Sequence, residues 1–263
     1  MTSAPWLQTG GSHRCFACET ASARAGRGGD PDWYSADLRE SHRVLWSKLL
    51  PSGQPLELET DRSGYLKIVS LPGRHTLGSD NFATTHANAL STLSRGLDDF
   101  AEGHLCAFCT IGGYIIFPNG LAQQSSTRVN QDARRWTVNQ ARGMDRRIAD
   151  RFDLTLVAIS MFYAGTVDRA LNPIGDVLEA YRWWFDLFGE GTDGFRNYAD
   201  FFFLTPLLDV DGSVRPFGTL PLAFKDALPA SDMATYRTYV TDQLAFVRAR
   251  NELIDQWWSH SDG

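Results

Sequence analysis

Residues 139 to 151 read NQARGMDRRIADR and set four arginines, Arg142, Arg146, Arg147 and Arg151, at the head of an apolar stretch with helical period. From Arg128 to Arg151 there are seven arginines (Arg128, Arg134, Arg135, Arg142, Arg146, Arg147 and Arg151) against three acids, Asp132, Asp145 and Asp150. The segment is therefore locally +4 in a chain whose formal charge is -6. Arginine at the start of a helix has the wrong sign for the helix dipole, so these side chains gain nothing there from their own helix. They gain if an anion arrives. A phosphate at that end would meet free backbone N–H groups, the positive end of the dipole and bidentate guanidinium forks together. Gly143 would let the backbone come close, and the amides of Asn139 and Gln140 could read a base or sugar edge beside the phosphate.

Two carboxylates complete the constellation. Asp150 and Asp153 stand three residues apart, so on a helix they share a flank beside Arg147 and Arg151. A carboxylate pair next to cations can serve as acid, base or metal ligand. The competing reading is plain pairing: Asp145, Asp150 and Asp153 would neutralise the arginines in a solvated or interface network, as charge runs commonly do.

The four cysteines form two Cys-x-x-Cys pairs, Cys15 with Cys18 and Cys106 with Cys109. Two such pairs are what a tetrahedral four-thiolate zinc site uses, each turn supplying two sulfurs. Zinc modules bring their pairs together within roughly 15 to 20 residues. Here 87 residues intervene, and "LCAFCTIGGYIIFP" reads as a strand rather than a knuckle. Both features favour small buried thiols plus a reduced pair in a tail over zinc, and a disulfide is less favoured still.

Other chemistry is sparse. His42 and His86 fall on helix-like segments and His75 in a Gly-flanked loop, where a histidine is usually structural. There is no G-x-S-x-G elbow, phosphate-binding Walker loop, H-E-x-x-H pair or dinucleotide glycine fingerprint. Asp209, Asp211 and Gly212 suggest a calcium loop only superficially, because the distal carboxylate is missing; "DVDG" reads as a turn. A pI near 5.5 argues against coating nucleic acid by bulk attraction. No apolar run approaches the roughly 20 residues that cross a bilayer, and the first residues lack a signal pattern, so the expectation is a cytoplasmic protein without membrane attachment.

Elements must position these residues. With 263 residues and 43% hydrophobic content the chain can bury a large core. Residues 1–29, rich in Gly, Ser, Ala and Arg, read as a mobile tail, and 30–263 as one domain. Ser35 is placed to cap a first helix anchored by Leu38, Val44, Leu45 and Trp46, followed by a turn at Pro51 to Gly53. "PLELE" and "GYLKIVS" read as strands, "LPGRHTLGSD" as a loop, "TTHANALSTLSRGLDDFAEG" as a weak helix and 105–118 as a long apolar strand. A polar loop over 119–136 leads into a buried helix over 145–163.

Asn172 as cap, Pro173 in the first turn and Gly189 past the end mark the next helix, striped by Ile174, Val177, Leu178, Tyr181, Trp184, Phe185 and Phe188. "YADFFFLTPLL" reads as a helix broken at Pro206. Ser231 opens a last helix with Met233, Tyr236, Val240, Leu244, Val247, Ile254 and Trp258 inward. The class expected is α+β, with a mostly helical C-terminal half packed on a small sheet.

"CTIGGYIIFPN", "TVNQARG", "RRIADRFDLTL", "NPIGDVLEAYRWWFDLFG" and "FRNYADFFFLTPLL", with "DPDWYS" and "LWSKLLPSG" earlier, together resemble a bacterial family catalogued as a domain of unknown function. The resemblance runs from about Asp30 to Trp257 and implies a single domain but no reaction. It draws attention to Asn139, Gln140, Arg142, Gly143, Asp150, Arg151 and Asp153. The longer loop between Pro118 and Thr137 and the segment with Cys15 and Cys18 depart from the family pattern, which makes zinc a trait of this chain rather than of the family.

Three functions compete. The first is an anion-binding protein that takes a phosphate-bearing, nucleotide-like small molecule at Arg142, Arg146, Arg147 and Arg151, and that could be an enzyme with Asp150 or Asp153 as general base. The second is an interaction protein of the phage-conflict or toxin–antitoxin kind, whose arginines dock an acidic partner. The third, a single-strand binder with Trp136 and Tyr114 as stacking surfaces, is disfavoured by the overall charge.

Overall fold

The structure, a computed structural model, describes residues 11–16, 35–60, 66–73, 75–82, 106–118, 152–218 and 233–261. The chain divides into two compact units, one of residues 1–81, 100–128 and 247–263 and the other of residues 82–99 and 129–246. The α+β class follows directly. One four-stranded antiparallel sheet lies in the first unit, and the described part of the second is helical apart from one isolated bridge.

In the first unit, helix α1 (Ala36–Trp46) opens where the sequence places it, with Ser35 Oγ accepting the Leu38 N–H at 2.9 Å. Its inner face carries Leu38, Leu45 and Trp46, all fully buried. Strands β1 (Leu58–Thr60), β2 (Leu66–Ile68), β3 (His75–Asn81) and β4 (Tyr114–Pro118) pair in chain order. The leucine-rich alternation of β1 and β2 accounts for those two strands. β3 corrects the loop expected over "LPGRHTLGSD": although it contains Gly78, it pairs on both sides, Leu66 with Leu77 and Asn81 with Tyr114, and ladder bonds on both edges outweigh the low strand propensity of glycine.

The strand expected over 105–118 is also corrected. Only Tyr114–Pro118 is extended, all five residues buried; 106–108 are helical, and Ile111–Gly113 form a 3-10 turn. Residues 11–16, inside the stretch read as a tail, are packed. Ser12 Oγ donates to Asp255 at 2.6 Å, and the Phe16 ring is fully buried against Tyr114.

In the second unit α2 (Phe152–Tyr163) is buried along nearly its whole length, as its apolar pattern predicts. The helix expected from Asn172 to Phe188 is instead three short pieces, α3 (Gly175–Ala180), α4 (Arg182–Phe185) and a 3-10 turn over Asp186–Phe188, ending at Gly189. Asn172 does not cap it. Its buried amide donates to the carbonyls of Ala158 and Thr166, so it serves the end of α2 instead. Helix α5 (Gly191–Phe201) stops before Pro206: Phe203 takes a left-handed conformation (φ 55°), and the Leu204 and Phe203 N–H groups close onto the carbonyls of Ala199 and Asp200. That double bond pattern is a Schellman stop with phenylalanine where glycine is usual. "DVDG" is the expected turn, with Leu208 bridged to Val214.

The last helix, α6 (Met233–Ser261), belongs to the second unit up to Phe246 and to the first from Val247. Val240, Leu244, Val247 and Ile254 are buried as the stripe predicts. Among the described residues no helix is long and apolar enough to cross a membrane.

Candidate functional site

The predicted ligand set, Asn139, Gln140, Arg142, Gly143, Arg146, Arg147 and Arg151, lies outside the described residues, as do Asp150 and Cys18. Asp153 is the described member of the carboxylate pair. It stands in the first turn of α2, fully buried, and its Oδ2 accepts the Phe217 N–H at 3.1 Å. An acid in the first turn suits the helix dipole, and a backbone N–H holds its orientation. Its local geometry is that of a carboxylate tying the start of α2 to the 217 segment. The aromatic side of that junction is continuous within the second unit: Phe82 packs on Phe152 and Phe246, and Phe217 on Phe246 and Tyr239.

A second polar cluster, in the first unit, escaped the sequence reading. It is built on Gly112 and Gly113. The Gly112 N–H donates to Asn251 Oδ1 at 2.7 Å, and Asn251 Nδ2 donates to Thr110 Oγ1 at 2.8 Å. Arg250 is fully buried, and its Nη1 donates to the carbonyls of Gly112 (2.8 Å) and Tyr114 (2.6 Å) while its guanidinium lies 5.5 Å over the Trp46 ring. Only glycine fits this approach. A Cβ on Gly112 would stand 2.5 Å from Asn251 Oδ1 and 2.7 Å from the Val247 carbonyl, and one on Gly113 would stand 1.9 Å from the Phe108 carbonyl. Asn81 completes the clamp, donating to that same Phe108 carbonyl at 2.8 Å.

His42 borders this cluster. Its Nδ1 accepts from Trp46 Nε1 at 2.8 Å, which leaves the proton on Nε2 to be donated to Ser79 Oγ at 2.9 Å. Burial, and secondarily the nearby Arg250 charge, lower its pKa to about 3. A neutral, enclosed ring with both nitrogens engaged holds structure and is unsuited to proton exchange.

The signal for the clamp was present in α6. Its apolar stripe steps from Val247 to Ile254 and misses a turn, and the missed positions are Arg250 and Asn251. A polar pair on a buried stripe has to find partners, and here they are backbone groups of the glycine turn.

Cys15 is half-buried, Cys106 exposed and Cys109 buried. Cys106–Cys109 lie on a helical turn, and the Phe16 N–H donates to the Cys109 carbonyl at 2.9 Å. Among the described residues no three His, Cys, Asp or Glu side chains form a group able to hold a metal ion.

Comparison with known families decides the relationship, since the model of a family of unknown function, DUF6994, matches residues 16–254. The chain belongs to that family. No curated protein and no solved structure matches it. The match covers both the glycine clamp and the arginine segment, and it starts at Phe16, one residue after Cys15.

Proposed function

We propose that this DUF6994 chain binds a phosphate-bearing, nucleotide-like small molecule through Arg142, Arg146, Arg147 and Arg151, with Asn139 and Gln140 as polar readers and Gly143 as the point of close approach. The observation that carries the reading is a local +4 segment ahead of α2, a helix buried along nearly its whole length. Guanidinium groups at the start of such a helix would be repelled by its positive end and attracted to anything that neutralises both. A phosphate does so with bidentate bonds. Asp150 is the better general base if the protein is an enzyme, because Asp153 is enclosed and already engaged by the Phe217 N–H.

Thermal denaturation against inorganic phosphate and a panel of nucleoside mono-, di- and triphosphates tests the reading. One ligand class is expected to stabilise the fold by about 2.7 kcal/mol at a hundredfold excess over its dissociation constant. The paired substitution Arg142→Ala with Arg147→Ala should abolish that shift. A panel that leaves the melting temperature unmoved, or a shift that survives the paired substitution, overturns the proposal. Binding only to single strands, with steep weakening by salt, would favour nucleic acid over a small molecule.

A further inference from the structure

We infer that Cys106 and Cys109 form a redox-active dithiol in the first unit, with Cys106 as the thiol that meets an oxidant and Cys109 as the one that resolves it into a disulfide. Both stand in the helical turn that precedes Ile111, three residues apart. Positions so spaced are neighbours on a helix, with Cβ atoms roughly 5 to 6 Å apart. A disulfide needs them at about 3.5 to 4.5 Å. Closure therefore asks the turn to tighten by about 1 to 2 Å. That shift falls where the helix ends, since 106–108 are helical and Cys109 lies in the turn beyond them. Exposure divides the labour. Cys106 is open to a small oxidant, while Cys109 is 7% exposed and flanked in the chain by buried Phe108 and Ile111. An outer thiol that reacts and an inner one that meets only its neighbour are what a reversible couple requires.

The oxidant class is a peroxide. The Cys106 thiolate attacks one peroxide oxygen, the O–O bond breaks, and the departing hydroxide takes up the proton the thiol released and leaves as water; Cys106 is then a sulfenic acid. The Cys109 sulfur next attacks the Cys106 sulfur. The S–O bond breaks, and the hydroxyl leaves with the Cys109 proton as a second water. The pair of thiols gives up two electrons and the peroxide takes them. The surroundings make the product easy to reduce. The turn is pinned at three successive carbonyls: Ala107 accepts from the Thr110 hydroxyl at 2.8 Å, Phe108 from Asn81 at 2.8 Å and Cys109 from the Phe16 N–H at 2.9 Å. Thr110 Oγ1 in turn accepts from Asn251 Nδ2 at 2.8 Å. Tightening the turn works against these bonds, and a disulfide closed under strain is the more readily reduced. The couple is reversible for that reason.

The full chain, reduced and then freed of reductant, tests this by treatment with stoichiometric hydrogen peroxide, alkylation, trypsin digestion and mass spectrometry. One tryptic peptide, from Gly96 to Arg128, holds both Cys106 and Cys109, whereas Cys15 falls in another. The first peptide is expected to lose both alkylation sites together, as an internal disulfide, and to regain both after dithiothreitol. Cys109→Ser should leave Cys106 as a sulfenic acid that dimedone traps. Cys106→Ser changes an exposed position, so it should fold, and its buried Cys109 should stay reduced under the same peroxide. Both thiols still open to alkylation after peroxide would overturn the inference. So would a bridge joining this peptide to the one with Cys15, oxidation that dithiothreitol does not reverse, or undiminished oxidation of Cys109 in Cys106→Ser. Nucleotide binding enters none of these readings.

Discussion

The two units are held by different physics. In the first, the core around the glycine turn is keyed by directional bonds: Arg250 and Asn251 reach backbone groups at Gly112 and Tyr114, Asn81 reaches Phe108, and neutral His42 links Trp46 to Ser79. In the second, Tyr163, Trp184, Phe185, Phe188, Tyr198, Phe201 and Phe202 form a cluster of edge-on and tilted rings, with centroids 4.9 to 6.4 Å apart among the closest pairs. Aromatic contact follows volume and tolerates a change of shape. A buried hydrogen bond does not, since removing one partner strands the other without water. Equal changes in size should therefore have unequal consequences in the two units.

The sharpest break is expected at Gly113→Ala. Its new methyl would meet a backbone carbonyl, which cannot rotate away, so the cost should reach about 3 kcal/mol or more, the top of the overpacking range. Urea titration measures it; a cost under about 1 kcal/mol would show that the turn can move. Asn251→Leu keeps the volume but leaves the Gly112 N–H and the Thr110 hydroxyl without this partner, at about 2 to 4 kcal/mol.

Acid should act next, through His42. Its folded pKa of about 3 lies below the unfolded value of 6.5, so between those limits the unfolded chain takes up a proton that the folded chain refuses. Stability should fall with decreasing pH in that window, by up to about 1.4 kcal/mol per unit. His42→Gln should show a shallower slope in the same denaturant series, and equal slopes would remove His42 from the account. The smallest effect belongs to the aromatic unit: Phe188→Leu, among Trp184, Tyr198, Phe201 and Phe202, should cost less than about 1.5 kcal/mol. If it costs more than Asn251→Leu, the contrast between the units fails.

Periodicity and punctuation made much of this architecture readable. Ser35 as a cap, the stripe of α6, the buried α2 and the turn at 209–212 are local signals, each written in neighbouring residues. Glycine and proline misled at β3, where composition reads as loop and pairing on both edges makes a strand. Asn172 misled for a related reason. Its type and its proline neighbour fit a cap, yet its amide is spent on the carbonyls of Ala158 within α2 and Thr166 just past it.

The chain alone therefore determined the α+β class, the helices with clean apolar stripes, and the concentration of arginine between Arg128 and Arg151. Tertiary structure decided which distant groups meet: Arg250 and Asn251 with Gly112, Asp153 with Phe217, and Phe16 with Cys109 across 93 residues. The physical reason is range. Side-chain period and capping act over a few residues and leave a trace in order and spacing, whereas a buried polar group must be satisfied by whatever donor or acceptor the fold brings to it, and that partner has no fixed address in the sequence.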